Sequence, residues 1–162
     1  EQSFKFMKNK KNFFILSCDC FGNFDHLSFK KFIKINDPDV IIFPFKISHL
    51  QKTLSNAHST IEIYRNKLKS INVKKFINHK NVFGHAGFFW VKNSVVFNNI
   101  DRFNQNIKFN REVLLDDYFK FLFDKKLCKV DCYKLNNYVH IGSIKEYQEL
   151  KYWENYLRDE NK

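Results

Sequence analysis

Asp19 closes an uncharged apolar run, Phe13-Phe14-Ile15-Leu16-Ser17-Cys18. A continuous run of that length reads as a strand buried on both faces, as in parallel α/β sheets. Ligands in such sheets sit at the carboxyl ends of the strands. A carboxylate there can hold a divalent metal against a phosphate, because hard cations take oxygen ligands. The plainer alternative is that Asp19 caps the turn Phe21-Gly22-Asn23, a common role for Asp. Other reactive residue types carry weaker signals. His85 lies beside Ala86 in an apolar stretch and reads as a satisfied structural histidine. His49, His58 and His79 fall in expected loops and read as exposed. Asp116-Asp117 have the chemistry of a metal pair, but acids at a helix start also complement the dipole, and the structural reading is preferred. Cys18, Cys20, Cys128 and Cys132 have C-x-C and C-x3-C spacings, poor matches to zinc knuckles. They are expected as reduced core residues of a cytosolic protein.

The elements that must position these groups follow from composition and pattern. At 162 residues the chain fits a single domain over 1–162 with a real core, and 20 Phe, 7 Tyr and 2 Trp supply its bulk. No run of about 18 apolar residues is present, so no membrane partner is expected. No secretory leader is read at the start, and a cytoplasmic location is expected. The net charge of +11 favours anionic partners such as nucleotides and phosphates. Its lysines are spread along the chain without an RNA-binding or helix-turn-helix pattern, so nucleic acid is not the expected partner.

Strands are expected over 13–18, 39–43, 60–64, 67–73, 82–92 and 129–135, with a turn at Arg65-Asn66. Helices are expected over 2–10, 26–36, 94–103, 112–123 and 144–157, and residues 46–60 read as a long loop. Pro38 ends the second helix. Gly84 and Gly87 mark close approach of backbone or ligand in a core strand. The last helix is expected to bury Tyr147, Leu150 and Tyr156, with Trp153 near them; packing explains this cluster better than base stacking. Interleaved strands and helices predict an α/β fold with a mixed, mostly parallel sheet and flanking helices. The chain has only 4 Gly, none before Gly22. It therefore lacks the Gly-rich strand-loop that usually cradles phosphates, with neither a Walker loop nor GxGxxG.

Four segments, in order, resemble the C-terminal two-thirds of bacterial sugar-phosphate nucleotidyltransferases of the capsule and lipopolysaccharide type. Phe14-Ile15-Leu16-Ser17-Cys18-Asp19 resembles the strand that ends on a metal-binding Asp. Ile71-Asn72-Val73-Lys74-Lys75 resembles the segment ending in Glu-Lys, and Gly84-His85-Ala86-Gly87-Phe88-Phe89-Trp90 the strand with the sugar-facing glycine. Glu112 to Tyr118, followed by His140 to Tyr147, resembles the Glu-containing helix start and the closing Asp-x-Gly-Thr-Pro-Glu-Asp stretch. Glu1-Gln2-Ser3 is similar to the piece that follows the family's base-contacting loop. Such enzymes join a nucleoside triphosphate to a sugar phosphate or related phosphate ester and release pyrophosphate, using Mg2+. The resemblance implies Asp19 and His140 at the metal, Lys75 on the phosphate, and Gly87 and Glu112 at the sugar. All are expected in one cleft, with His140 near Asp19. The departures are as informative. Lys74 stands for the Glu of Glu-Lys, His140 for the second metal Asp, and Ser143-Ile144 for Thr-Pro. The family's Gly-rich opening and first strands have no counterpart here. The resemblance thus implies a fragment, a split enzyme completed by a second polypeptide, or a non-catalytic relative that binds a sugar phosphate, a nucleotide or a partner protein. A sheet lacking its first strands is expected to expose an apolar edge or face.

Overall fold

The computed structural model describes residues 9–47, 59–75, 77, 80–107 and 110–160. The expected helix over 2–10 (apart from Asn9 and Lys10), most of the loop over 46–60, and His49, His58 and His79 lie outside the described residues.

The strands are β1 (Lys11–Ile15), β2 (Cys20–Asn23), β3 (Val40–Phe45), β4 (Thr60–Tyr64), β5 (Lys67–Asn72), β6 (Val82–Asn93), β7 (Val130–Cys132) and β8 (Asn137–His140). The α-helices are α1 (His26–Asn36), α2 (Ile100–Asn106), α3 (Leu115–Asp124) and α4 (Ile144–Glu160), and a 3-10 helix over Ser94–Asn99 leads into α2. Local chemistry explains several boundaries. The Asp25 carboxylate caps α1 by accepting from the Ser28 N–H at 2.5 Å. Asp37, at φ 43°, ends that helix, and Pro38 follows. Arg65 and Asn66 both have positive φ, 49° and 61°, as a two-residue hairpin turn requires.

The main sheet runs β5-β4-β6-β3-β7, with β1 also paired to β6. β3 follows β6 from Gly84 to Val91, so β4 and β1 share the other side of β6, at its start and end respectively. The sheet is mixed, as expected, and β1, β3 and β6 all belong to it. The expected parallel majority is not found: among the described strands, β3–β7 is the parallel pair, and the rest run antiparallel. The reason lies in what a continuous apolar run reports. It reports burial on both faces, which helices here supply to antiparallel strands as well.

Side chains alternate across the pleat and build two cores. Val40 and Ile42 of β3 and Phe89 and Val91 of β6 face Tyr118, Phe119 and Leu122 of α3. Ile41, Phe43 and Phe45, with Phe88 and Trp90, face Phe29 of α1 on the opposite side. Aromatic contacts fill the second core: Phe29 lies 5.5 Å from Phe43 and 5.1 Å from Tyr133, centroid to centroid.

Three further expectations fail. The run over 13–18 is not a doubly buried strand. It is an edge strand, paired with β6 alone among the described strands, that ends at Ile15 and leaves Phe14 43% and Leu16 60% exposed. Cys18 is exposed rather than core. Helix α4 does not bury its aromatic residues: Tyr147, Leu150, Trp153 and Tyr156 are all exposed, and the Tyr152, Trp153 and Tyr156 rings contact one another instead. Helical spacing marks a helix here but does not supply a surface for it to pack on.

Phe43 and Phe119 are fully buried on opposite faces of the sheet. Replacing either with Ala should cost about 3–5 kcal/mol, through lost burial and the cavity left behind. Leu27→Ala, at a residue 76% exposed, should stay within about 0.5 kcal/mol. Urea unfolding midpoints measure all three. Equal effects for Phe43→Ala and Leu27→Ala would show that α1 does not seal its face of the sheet.

Candidate functional site

The second, two-stranded sheet makes the site. β2 and β8 pair antiparallel, with Cys20 opposite His140 and Gly22 opposite Tyr138. The Ile141 N–H donates to the Asp19 carbonyl at 2.8 Å and extends that register. Neither strand was expected. Phe21-Gly22-Asn23 reads locally as a turn, and β8 has only four residues. Their pairing carries Asp19 to His140, and Nε2 of the imidazole lies 3.4 Å from Oδ2 of the carboxylate. On its other side, Nδ1 of His140 meets Glu146 Oε1 at 2.9 Å. Glu146 lies in the first turn of α4, and its second oxygen accepts from the Ser143 hydroxyl at 2.8 Å. Gly142 fits against this pair. A Cβ there would stand 2.6 Å from His140 Cε1 and 3.0 Å from Asp19 Oδ2.

Asp19 and His140 line a cavity of about 350 Å³, together with Cys20, Lys74, Gly87 and Asp116. Gly87 sits in mid-strand at φ 71°, where side chains are strained, and a Cβ would also approach Ser17 to 3.2 Å. Gly84, in contrast, makes room for the protein itself, since a Cβ there would meet the Phe45 ring at 2.3 Å. His85 is structural, as expected. Its Nδ1 lies 3.3 Å from Asp116 Oδ1, its Nε2 3.3 Å from the Phe88 carbonyl, and its side chain is only 2% exposed. Ser59 donates to the same Asp116. The hydroxyl thus meets the carboxylate and not the imidazole, which is not a nucleophile–base arrangement. Burial alone would raise the Asp116 pKa. The charge of His85 and the hydrogen bonds from His85 and Ser59 outweigh it and hold the carboxyl below its ordinary range. Asp117 is committed elsewhere, with both oxygens on Arg111 at 2.8 and 2.6 Å and one also on the Leu114 N–H. The two acids at the start of α3 therefore form no metal pair.

Two expected site residues stand apart. Lys75 lines a different cavity, of about 480 Å³, beside α3. Its neighbour Lys74 lines the Asp19 cavity instead. The strand ends at Asn72, and the turn through Lys74, at φ 48°, decides which lysine faces which side. Glu112 is exposed, precedes α3 rather than starting it, and lines neither cavity. Asp19, Gly87 and His140 are brought together; Lys75 and Glu112 are not. Sequence reasoning weighed Cys20 only within a four-cysteine zinc site and Lys74 only as a departure from Glu-Lys, and it gave Glu146 no role. Cys20 and Lys74 adjoin residues already singled out, and that adjacency was the signal for the site seen here.

Hydrogen bonds from Ser17 and Cys20 lower the Asp19 pKa from 3.8 to about 2. Burial pushes the Cys20 thiol up to about 11. Single donor atoms from Asp19, Cys20 and His140 all lie within 4.8 Å of one another, close enough to share a cation. The trio fits Mg2+ poorly. Asp19 offers the hard oxygen that Mg2+ takes, but the imidazole and thiol do not.

The fold is similar to part of several solved structures. A Bacillus anthracis protein assigned as a glucose-1-phosphate thymidylyltransferase, in complex with a sucrose, matches with a TM-score of 0.65 at 12% identity, over 91% of this chain and 56% of its own. A nucleoside-diphosphate-sugar pyrophosphorylase from Vibrio cholerae RC9 matches at 0.61 and 12% identity, over 91% and 58%. The UTP-bound UGPase from Acinetobacter baumannii matches at 0.61 and 14% identity, over 93% and 53%. The chain thus spans just over half the length of these structures. No family model matches the sequence, and no curated protein matches it. Among the described residues, no helix is long and apolar enough to cross a membrane.

Ser17→Ala removes the largest influence on Asp19. Its carboxyl pKa should climb from about 2 toward 3.8, read by carbon-detected NMR titration. The sign for stability follows. A depressed folded pKa contributes in full above the unfolded value and is lost as pH falls through about 2. Ser17→Ala should move that loss to higher pH. An unmoved titration would show that the hydroxyl does not set this carboxylate.

Proposed function

We propose that this chain forms the sugar-phosphate side of a nucleotidyltransferase that joins a nucleoside triphosphate to a sugar phosphate and releases pyrophosphate. The observation that carries the reading is the meeting of Asp19, Lys74, Gly87 and His140 around one cavity on this fold. The net charge of +11 suits two anionic substrates. The reaction needs a sugar-phosphate oxygen to attack the α-phosphorus while pyrophosphate leaves, so positioning and charge neutralisation dominate catalysis. Lys74 takes the phosphate-contacting role that the resemblance gave to Lys75. Gly87 leaves the strand bare where a sugar would lie. Asp19 would be the protein carboxylate for any Mg2+ that phosphate oxygens and water otherwise surround. The triphosphate cradle would come from a further segment, in the same or a second polypeptide. The role would be cytoplasmic synthesis of activated sugars for capsule or other surface polysaccharide. Two observations favour a second reading, a relative that binds sugar phosphate without catalysis: His140 stands where a metal carboxylate is expected, and Lys75 and Glu112 lie outside the cavity.

Calorimetry with hexose 1-phosphates and pyrophosphate release with a panel of triphosphates test both readings. The chain alone should bind sugar phosphate. Lys74→Ala should weaken that binding about tenfold, or about 1.4 kcal/mol. Turnover by the chain alone should be slight. Adding the Gly-rich opening of a related enzyme should raise it by ~10²–10³-fold per restored charge donor, and Asp19→Asn should then abolish it. Sugar-phosphate binding that stays flat after restoration, with no turnover, favours the non-catalytic relative. Full activity of the 162-residue chain would remove the need for a further segment.

A further inference from the structure

We infer that Asp19, Cys20 and His140 form a binding site for a divalent transition metal of the Zn2+ class, selected over Mg2+ and occupied without any nucleotide. The argument begins with donor type. A carboxylate, a thiol and an imidazole together suit Zn2+ or Co2+, whereas Mg2+ takes oxygen donors. Geometry comes close. Donors about 2.0–2.3 Å from a tetrahedral ion stand roughly 3.3–3.8 Å from one another. His140 Nε2 lies 3.4 Å from one Asp19 oxygen, Oδ2, and Cys20 Sγ lies 3.2 Å from the other, Oδ1. One donor atom from each residue falls within 4.8 Å of the others, so closing all three on one ion takes a side-chain rotation and no backbone change.

The backbone holds this set together. Cys20 and His140 are register partners across the β2–β8 ribbon, and the Ile141–Asp19 backbone bond adjoins them. Nδ1 of His140 faces the Glu146 carboxylate at 2.9 Å, the arrangement that orients Nε2 toward a metal in carboxylate–histidine–metal sites. Gly142 supplies the clearance, because any Cβ would push on both His140 and Asp19. Three protein ligands leave a fourth position open toward the cavity, for water or a substrate oxygen. Coordination transfers the Cys20 thiol proton to solvent as the metal–sulfur bond forms. The competing arrangement is an imidazolium held between Asp19 and Glu146 with no metal affinity. The inference does not depend on the transferase reading, since metal binding is measured with no substrate present.

The test uses the full metal-free chain titrated with Co2+ as a spectroscopic stand-in for Zn2+. One equivalent should bind and give the near-ultraviolet charge-transfer band of a cobalt–thiolate bond. Equimolar Zn2+ should displace it, and a large excess of Mg2+ should not. Cys20→Ser should lose the band while circular dichroism stays unchanged. Glu146→Gln should weaken Zn2+ binding by about 10–100-fold, and Gly142→Ala should also weaken it. His140→Asp should lose the preference for Zn2+ over Mg2+. Absence of the band in the unmodified chain would overturn the site, independently of how any variant folds. So would displacement by Mg2+ at comparable concentration, or a band that survives in Cys20→Ser and so belongs to another cysteine. Sugar-phosphate binding by the unmodified chain, measured separately, would stand or fall on its own.

Discussion

Strand β6 is the constraint on which the rest of the molecule depends. Over twelve residues it is hydrogen-bonded to β3 on one side and to β4 and then β1 on the other. Its alternating side chains divide the two cores, with Phe89 and Val91 facing α3 and Phe88 and Trp90 facing α1. A one-residue slip would exchange these faces and send every large side chain to the wrong layer. Register here is therefore strongly specified. Gly87 interrupts the strand at a positive φ without ending it, and pairing resumes at Phe89. The backbone beside the cavity is thus bare because the strand passes through a conformation that favours glycine there.

The site hangs from this frame by a weaker ribbon. β2 and β8 have four residues each and expose much of their surface. Two anchors tie them to the main sheet. Tyr138 stacks on Phe45 with centroids 3.8 Å apart, and the Leu135 N–H donates to the Pro44 carbonyl at 2.9 Å. Pro44 lies beyond a register shift in β3, which places the end of that strand near the ribbon. Packing around β3 therefore sets where Asp19 and His140 meet, although neither residue belongs to the main sheet.

Charge in the cavity is arranged rather than merely accumulated. Asp19 is held ionised by donors from Ser17 and Cys20, and Asp116 by His85 and Ser59. Lys74 lines the same cavity, and its charge contributes to lowering the Asp116 pKa. The excess of basic residues elsewhere lies mostly on exposed surface, where salt screens it.

Much of the frame was legible in the sequence. Helix α1 could be read to its last residue, because Asp37-Pro38 stops it chemically. The β4–β5 hairpin was visible because Arg65-Asn66 separates two strand-like runs. The apolar stretches within 39–43 and 82–92 located the core strands, since burial on both faces leaves few polar positions. Order of motifs, rather than any one motif, pointed to Asp19, Gly87 and His140, which the fold brings around one cavity, and equally to Lys75 and Glu112, which it does not. What the sequence could not determine were properties of pairs distant along the chain. Strand direction depends on which neighbours meet, and a run of Phe and Ile is equally apolar in either orientation. The edge position of β1 and the exposure of α4 depend on which surfaces are covered, and periodicity carries no record of that. The choice of Lys74 over Lys75 turned on a single positive φ. The joining of Asp19 and Cys20 to His140, some 120 residues further along the chain, was decided by a ribbon whose two strands are each too short to announce themselves. Only the folded backbone could bring those donors within reach of one ion.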